Sequence, residues 1–227
     1  MEKGLFVVGT GTDVGKTYVT GLLLKKLREK GINAGYYKAA VSGNERGADG
    51  KLIPGDPFKV KQLSGTSQEL DTMCPYVYER AVSPHLASQI EGNPVDIDVV
   101  MAGFHKVATT YDYVLMEGSG GIMCPIRFDD KKLWLEDLVA RSQLPSIIVA
   151  DAGLGTINQV ALTCHYMKSK GLHILGIIFN HYHKGDVMEE DNIKMCEYLT
   201  GIPVIGFVAD DGDSIEIDLD RIRKGEV

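Results

Sequence analysis

The run Gly9-Thr10-Gly11-Thr12-Asp13-Val14-Gly15-Lys16-Thr17 constrains this chain more than any other stretch. It follows a short apolar segment, Gly4 to Val8, and precedes Val19, Leu22, Leu23 and Leu27, which repeat at helical spacing up to Gly31. A glycine-rich turn between a strand and a helix is the context that a phosphate-binding loop requires. Glycines let backbone N–H groups converge on phosphate oxygens, Lys16 neutralises the β- and γ-phosphates, and the Thr17 hydroxyl can ligate magnesium. Five residues rather than four separate Gly9 from Gly15, so the loop is one longer than the common pattern and Asp13 brings a carboxylate near the phosphates. The competing reading is a glycine turn that only caps a helix, and Gly-Lys-Thr in this context weighs against it.

Beyond the loop, β-branched or aromatic runs alternate with amphipathic stretches. Strands are predicted at Ala34 to Tyr37, Tyr113 to Met116, Ser146 to Ala150, Ile174 to Phe179 and Val204 to Val208. Helices are predicted near Trp134 to Arg141, Thr156 to Lys170 and Glu189 to Leu199. In the second of these, Ile157, Val160, Ala161, Cys164 and Met167 form one apolar stripe that reads as core. The alternation predicts an α/β fold of three layers, a mostly parallel sheet with helices on both faces. With 227 residues, 44% of them hydrophobic, and no linker-like stretch, one domain over 1–227 is expected. The glycine-rich segment Gly43 to Gly55 reads as a mobile surface loop.

Composition removes several function classes. A formal charge of −7 without a basic stripe argues against a general nucleic-acid binder. No apolar run approaches the roughly 20 residues of a membrane span, so no membrane partner and a cytoplasmic location are expected. Cys74, Cys124, Cys164 and Cys196 form no C-x-x-C pair and have no histidines at zinc spacing, so they read as buried or incidental thiols.

Other residues carry candidate chemistry. Glu117 follows the apolar run Tyr113 to Met116 and precedes Gly118-Ser119-Gly120-Gly121, which places an acid at the carboxyl edge of a strand, the Walker-B-like position that completes magnesium on a triphosphate. Lys38 ends the second strand at the same edge, where a second fixed positive charge could stabilise a transferring phosphoryl group. Ser42-Gly43 beyond it could be a turn or a substrate contact. By spacing alone, Gly55-Asp56-Pro57 is a helix start with Asp56 as N-cap. Ser83-Pro84-His85 reads as another helix start.

Taken together, G-T-G-T-D-V-G-K-T, Y-Y-K-A-A-V-S-G, G-D-P, S-P-H, E-G-S-G-G and L-G-T-I-N, in this order and spacing, resemble the dethiobiotin synthase family from Leu5 to about Gly206. The resemblance implies a P-loop NTPase-like fold and an ATP-dependent cyclo-ligase of biotin synthesis. In that family 7,8-diaminononanoate captures carbon dioxide as a carbamate, ATP phosphorylates the carbamate, and the second amine closes the ureido ring, giving dethiobiotin, ADP and phosphate. It further implies that Lys16 and Lys38 are catalytic and bind phosphates and carbamate, and that Thr17, Asp56 and Glu117 hold Mg2+. This reverses the local preference for Asp56 as a cap alone. Thr12, Asp13, Val14, Gly15, Lys16 and Thr17 would wrap the nucleotide, with Gly118, Ser119 and Gly120 against the γ-phosphate. Thr12 and Ser42 would contact the diamine or its carbamate. Asn180 matches the adenine-binding asparagine, and Val208, Ala209, Asp210 and Asp211 would close over base and ribose. The family is a homodimer in which the turn Gly153, Leu154, Gly155, Thr156, Ile157, Asn158 binds the substrate carboxylate from the neighbouring subunit, and a helix N-terminus suits that anion. Three residues depart from the family's pattern: Asp13 for glutamate, Ala39 for the proline after the active-site lysine, and Ala209 for a proline near the base.

The rival reading is a deviant-loop ATPase that acts as a partner-binding switch. Such proteins carry an extra lysine early in the loop, and residues 4–15 contain none. An amidotransferase-type synthetase would usually bring a glutaminase domain and would not need Lys38 and Ser42.

Overall fold

Phe6 and Val8 point to one side of the first strand, Leu5 and Val7 to the other, and each pair sits in its own apolar layer. A strand buried on both faces must be interior to its sheet. A computed structural model describes residues 3–210, 212–219 and 222. In chain order it contains β1 (Gly4–Gly9), α1 (Lys16–Glu29), β2 (Ala34–Lys38), β3 (Ala40–Val41), α2 (Gly55–Ser64), a 3-10 turn (Leu70–Thr72), β4 (Tyr76–Val77), α3 (Pro84–Ile90), α4 (Ile97–Thr110), β5 (Tyr113–Gly121), β6 (Pro125–Phe128) and β7 (Lys132–Trp134). There follow α5 (Leu135–Ser142), β8 (Ser146–Asp151), α6 (Thr156–Ser169), β9 (Ile174–Tyr182), α7 (Val187–Thr200), β10 (Val204–Ala209) and β11 (Glu216–Ile217).

The main sheet has seven strands in the order β11-β10-β9-β8-β1-β5-β2. Its pairings are parallel except for the edge pair β10–β11. One face is covered by α4, α5, α6 and α7 through Phe104, Leu138, Val160 and Cys196, the other by α1 and α2 through Leu22, Leu23 and Val60. Strand order reverses about β1, so the loop that leaves it opens into the crevice where such sheets bind ligands. Parallel register does the rest of the assembly. Lys38 pairs with Glu117 across β2 and β5, and Asp151 pairs with Asn180 across β8 and β9.

All the predicted strands are present. Each extends past its apolar run, β5 and β9 furthest: β5 continues through Glu117 to Gly121, and β9 continues through Asn180 to Tyr182. Helix α4 is not among the predicted helices, although Val100, Met101, Phe104 and Val107 bury one of its faces. The reading of Asp56 as an N-cap is corrected: α2 begins at Gly55 behind Pro54, and Asn44 Oδ1 accepts from Gly55 N at 2.8 Å. Asp56 therefore sits in the first turn with its carboxylate free to face the sheet edge. Within the segment Gly43 to Gly55, Arg46 bridges Leu52, and Arg46 Nη2 stands 2.7 Å from Glu79 Oε2 outside it. Ser83-Pro84 starts α3, as its spacing predicts. Phe104 is fully buried against Tyr37, ring centroids 6.2 Å apart. Phe104→Ala is expected to cost about 3–5 kcal/mol by chemical denaturation, the scale of an aromatic cavity.

Candidate active site

The phosphate loop closes on itself through its lysine. Gly15 holds φ 86°, a backbone conformation that favours glycine, and turns the chain into α1. An added Cβ there would collide with the Asn180 amide. Lys16 Nζ donates to Gly11 O at 2.7 Å, which holds the ammonium across the inner side of the loop.

Next to it lies a cluster of charges from three elements, joined by a hydroxyl from α1. Lys38 Nζ is 2.7 Å from Asp56 Oδ2 and 2.7 Å from Glu117 Oε1. Thr17 Oγ1 donates to the same Glu117 oxygen at 2.8 Å, and Tyr36 Oη donates to the other at 3.0 Å. Lys38 and Glu117 are buried, whereas Asp56 is partly exposed. A buried pair of this kind holds together because each charge compensates the other. Burial works against charge on Lys38, but Glu117 and Asp56 outweigh it and hold the ammonium above its usual range. Burial likewise opposes charge on Asp56, and Lys38 overrides it, so the carboxyl lies below its ordinary value. Among the described residues Lys16 has no such carboxylate contact. Burial, reinforced by the Lys38 ammonium, pulls it down to about 8.

One hydroxyl and two carboxylates thus converge at the sheet edge, an all-oxygen donor set that suits a hard cation such as magnesium. These groups open into a cavity of about 1030 Å3 lined by Thr12, Asp13, Gly15, Lys16, Thr17 and Lys38 on the loop side, with Ser42, Asp56, Glu117, Ser119 and Gly120 further in. Asn180, Ala209 and Asp210 line it as well. Among the residues expected at the site, Val14 and Val208 are core side chains, so any contact they make is through backbone. The Gly118 backbone is turned inward, its carbonyl 3.3 Å from Lys38 Nζ. Ser42 Oγ donates to Val82 O at 2.6 Å and Ser119 Oγ to Ala40 O at 3.0 Å, so both hydroxyls are positioned by backbone. Gly153, Leu154, Gly155, Thr156 and Asn158 do not line this cavity. Asp211 lies outside the described residues.

Sequence reading missed Tyr36 and His181. Tyr36 is fully buried and orients Glu117; its signal, an aromatic two residues before a strand-end lysine, is indistinguishable from core. His181 lines the cavity beside Asn180.

Similarity to known proteins agrees with this geometry. Residues 3–217 match a family model described as an AAA domain. A protein of Brachyspira hyodysenteriae named ATP-dependent dethiobiotin synthetase BioD is 48% identical, over 92% of this chain and 93% of its own. A Clostridium perfringens protein of the same name is 44% identical over 99% of this chain and 98% of its own. The chain belongs to the dethiobiotin synthetase family. Among solved structures, the MinC:MinD cell division protein complex of Aquifex aeolicus matches with TM-score 0.58 and 15% identity, covering 99% of this chain and 86% of that one. A ParA family ATPase from Chlorobium tepidum matches with TM-score 0.54 and 15% identity, over 99% and 88%. At that identity the two show a common P-loop fold and nothing of function.

The depressed Lys16 makes this dethiobiotin synthetase family site sensitive to pH. Phosphate oxygens favour the charged form, so Lys16 is expected to have a higher pKa with nucleotide bound than the value of about 8 in the free protein. Binding above that pH must then take up a proton. The expected outcome is an ATP affinity that is flat below about pH 8 and weakens above it by up to about tenfold per pH unit, with proton uptake visible by calorimetry in buffers of different ionisation enthalpy. An affinity independent of pH up to about 9.5 would contradict it.

Proposed function

We propose that this chain is an ATP-dependent cyclo-ligase that carboxylates 7,8-diaminononanoate with CO2 and closes the ureido ring to give dethiobiotin, ADP and phosphate. The observation that carries this reading is Lys38, a second buried ammonium beside Lys16, held 2.7 Å from both Asp56 and Glu117 at the mouth of the phosphate loop. ATP binding alone needs Lys16. An acceptor that is itself an anion needs another cation to approach a triphosphate. A carbamate is such an acceptor, formed when one amine of the diamine adds to CO2 and loses a proton.

In this mechanism Lys16 and Lys38 bind the phosphates and the carbamate. The γ-phosphoryl group passes to a carbamate oxygen as ADP leaves, which turns that oxygen into a leaving group. The second amine attacks the carbonyl carbon, phosphate departs and the ring closes. Thr12 and Ser42 contact the diamine or its carbamate, and Gly118, Ser119 and Gly120 lie along the γ-phosphate. Asp13, Val14 and Gly15 contribute backbone along the phosphate chain, while Asn180, Val208, Ala209 and Asp210 hold the base. Thr17, Asp56 and Glu117 hold magnesium, which when bound neutralises phosphate charge.

The chain, one catalytic domain over 1–227, works as a homodimer in the cytoplasm. What supports the dimer is the turn Gly153 to Asn158, which stands away from its own cavity with Leu154 90% exposed, and the exposed apolar side chains Leu162, Val187 and Tyr198 on α6 and α7. Helix α6 begins behind Gly155 with no side-chain cap; Thr156 N donates to Gly153 O at 3.3 Å, and the N–H groups of Ile157 and Asn158 that follow it are offered to a substrate carboxylate from the partner's site. A partner-binding switch is not favoured, because it gives Lys38 and Ser42 no use. Among the described residues no helix is long and apolar enough to cross a membrane.

Phosphate release from ATP is expected only when diaminononanoate and bicarbonate are both present, followed by dethiobiotin in a mass-spectrometric assay; release indifferent to the diamine would sink the proposal. Lys38→Met keeps the stem and removes the ammonium. It is expected to lower kcat by about 10²-fold or more while ATP still binds, and unimpaired turnover would remove Lys38 from the mechanism.

A further inference from the structure

Asn180 leaves the carboxyl end of β9 beside Asp151 of β8, and its side chain is almost fully buried against the phosphate loop. Both protons of its Nδ2 are engaged. One goes to Val14 O at 3.2 Å and the other faces His181 Nε2 at 3.1 Å. Nε2 can accept because the other ring nitrogen is committed: His181 Nδ1 stands 2.7 Å from Asp151 Oδ2, so its N–H donates to the carboxylate. The remaining Asp151 oxygen accepts from Gly153 N at 2.7 Å. His181 holds φ 55°, left-handed backbone that a residue with a side chain keeps only where its surroundings impose it. One group along this row has no partner in the protein. Asn180 Oδ1 is shielded from water and bonded to nothing, a state that a ligand donor would relieve.

We propose that Asp151 and His181 are positioning residues for nucleotide selectivity: by fixing the imidazole tautomer they hold Asn180 with its carbonyl oxygen as the only free group. The site then accepts a base that presents an exocyclic amino donor, as adenine does, and rejects one that presents a carbonyl oxygen at the same edge, as guanine does. This rests on the reading of the cavity as a nucleoside triphosphate site with Asn180 at its base end.

Asp151→Asn separates tautomer control from simple support. Its oxygen can still accept from Gly153 N, but its amide would donate to His181 Nδ1, which leaves the proton on Nε2 facing Asn180 and reverses the pull on that amide. The experiment is competition of ATP and GTP against a fluorescent ATP analogue on the full chain, with thermal unfolding as a check on folding. The preference for ATP is expected to fall about tenfold, the scale of one hydrogen bond, in Asp151→Asn and in His181→Ala, and to vanish in Asn180→Ala. A wild-type protein that binds ATP and GTP alike overturns the inference, as does an unchanged preference in Asp151→Asn. An equal loss for both nucleotides, the mark of a merely structural role, overturns it too. The assay contains neither diamine nor CO2. A protein that discriminates in this way but forms no dethiobiotin therefore refutes the proposed reaction and leaves this inference standing.

Discussion

The Lys38 ammonium between Asp56 and Glu117 is the interaction on which the site depends. Three elements that share no local sequence meet there: the end of β2, the first turn of α2 and the carboxyl half of β5. Each charge is tolerable in a buried place only because the others are present, so the cluster couples the fold of the sheet edge to its chemistry. The parallel register that sets Lys38 directly opposite Glu117 supplies this for no extra cost in loop length.

The halves of the cavity differ in electrostatic character. At the phosphate end, cations are held by strong partners or pressed toward neutrality, with Lys38 kept charged and Lys16 pulled down. Asn180 and His181, which also line the cavity, are linked in a row with Asp151 through neutral and anionic hydrogen-bond partners. A triphosphate has the same asymmetry, with its charge at one end and a flat hydrogen-bonding base at the other. The cavity lining and the proposed ligand class agree in polarity.

Much of this was legible in the sequence because the relevant signals are local. The phosphate loop needs only glycines at fixed intervals and a Lys-Thr pair, and the strands around it are apolar runs bounded by turn residues. Lys38 and Glu117 were visible as charges that end such runs. Asp56 misled because an aspartate between glycine and proline satisfies the local rule for a helix cap, while the actual start of α2 is set by Asn44, eleven positions earlier in the chain than Gly55. The α4 stripe, Val100 to Val107, is as clear as the others once seen, yet it is flanked by no strong start signal beyond Asp96, which caps it through Asp98 N. Tyr36 and His181 were illegible for a different reason: their roles are defined by partners 81 and 30 residues away, Glu117 and Asp151. No spacing rule along the chain carries that information.

Gly15 has a role wider than the turn it makes. The missing methyl group at this one position allows the Asn180 amide to rest directly on the loop. On the proposed reading, the residue that would hold the base is thereby packed directly on the loop that would hold the phosphates, with no adjustable side chain between them. The approach of these two parts of the chain is set by the absence of a single carbon atom.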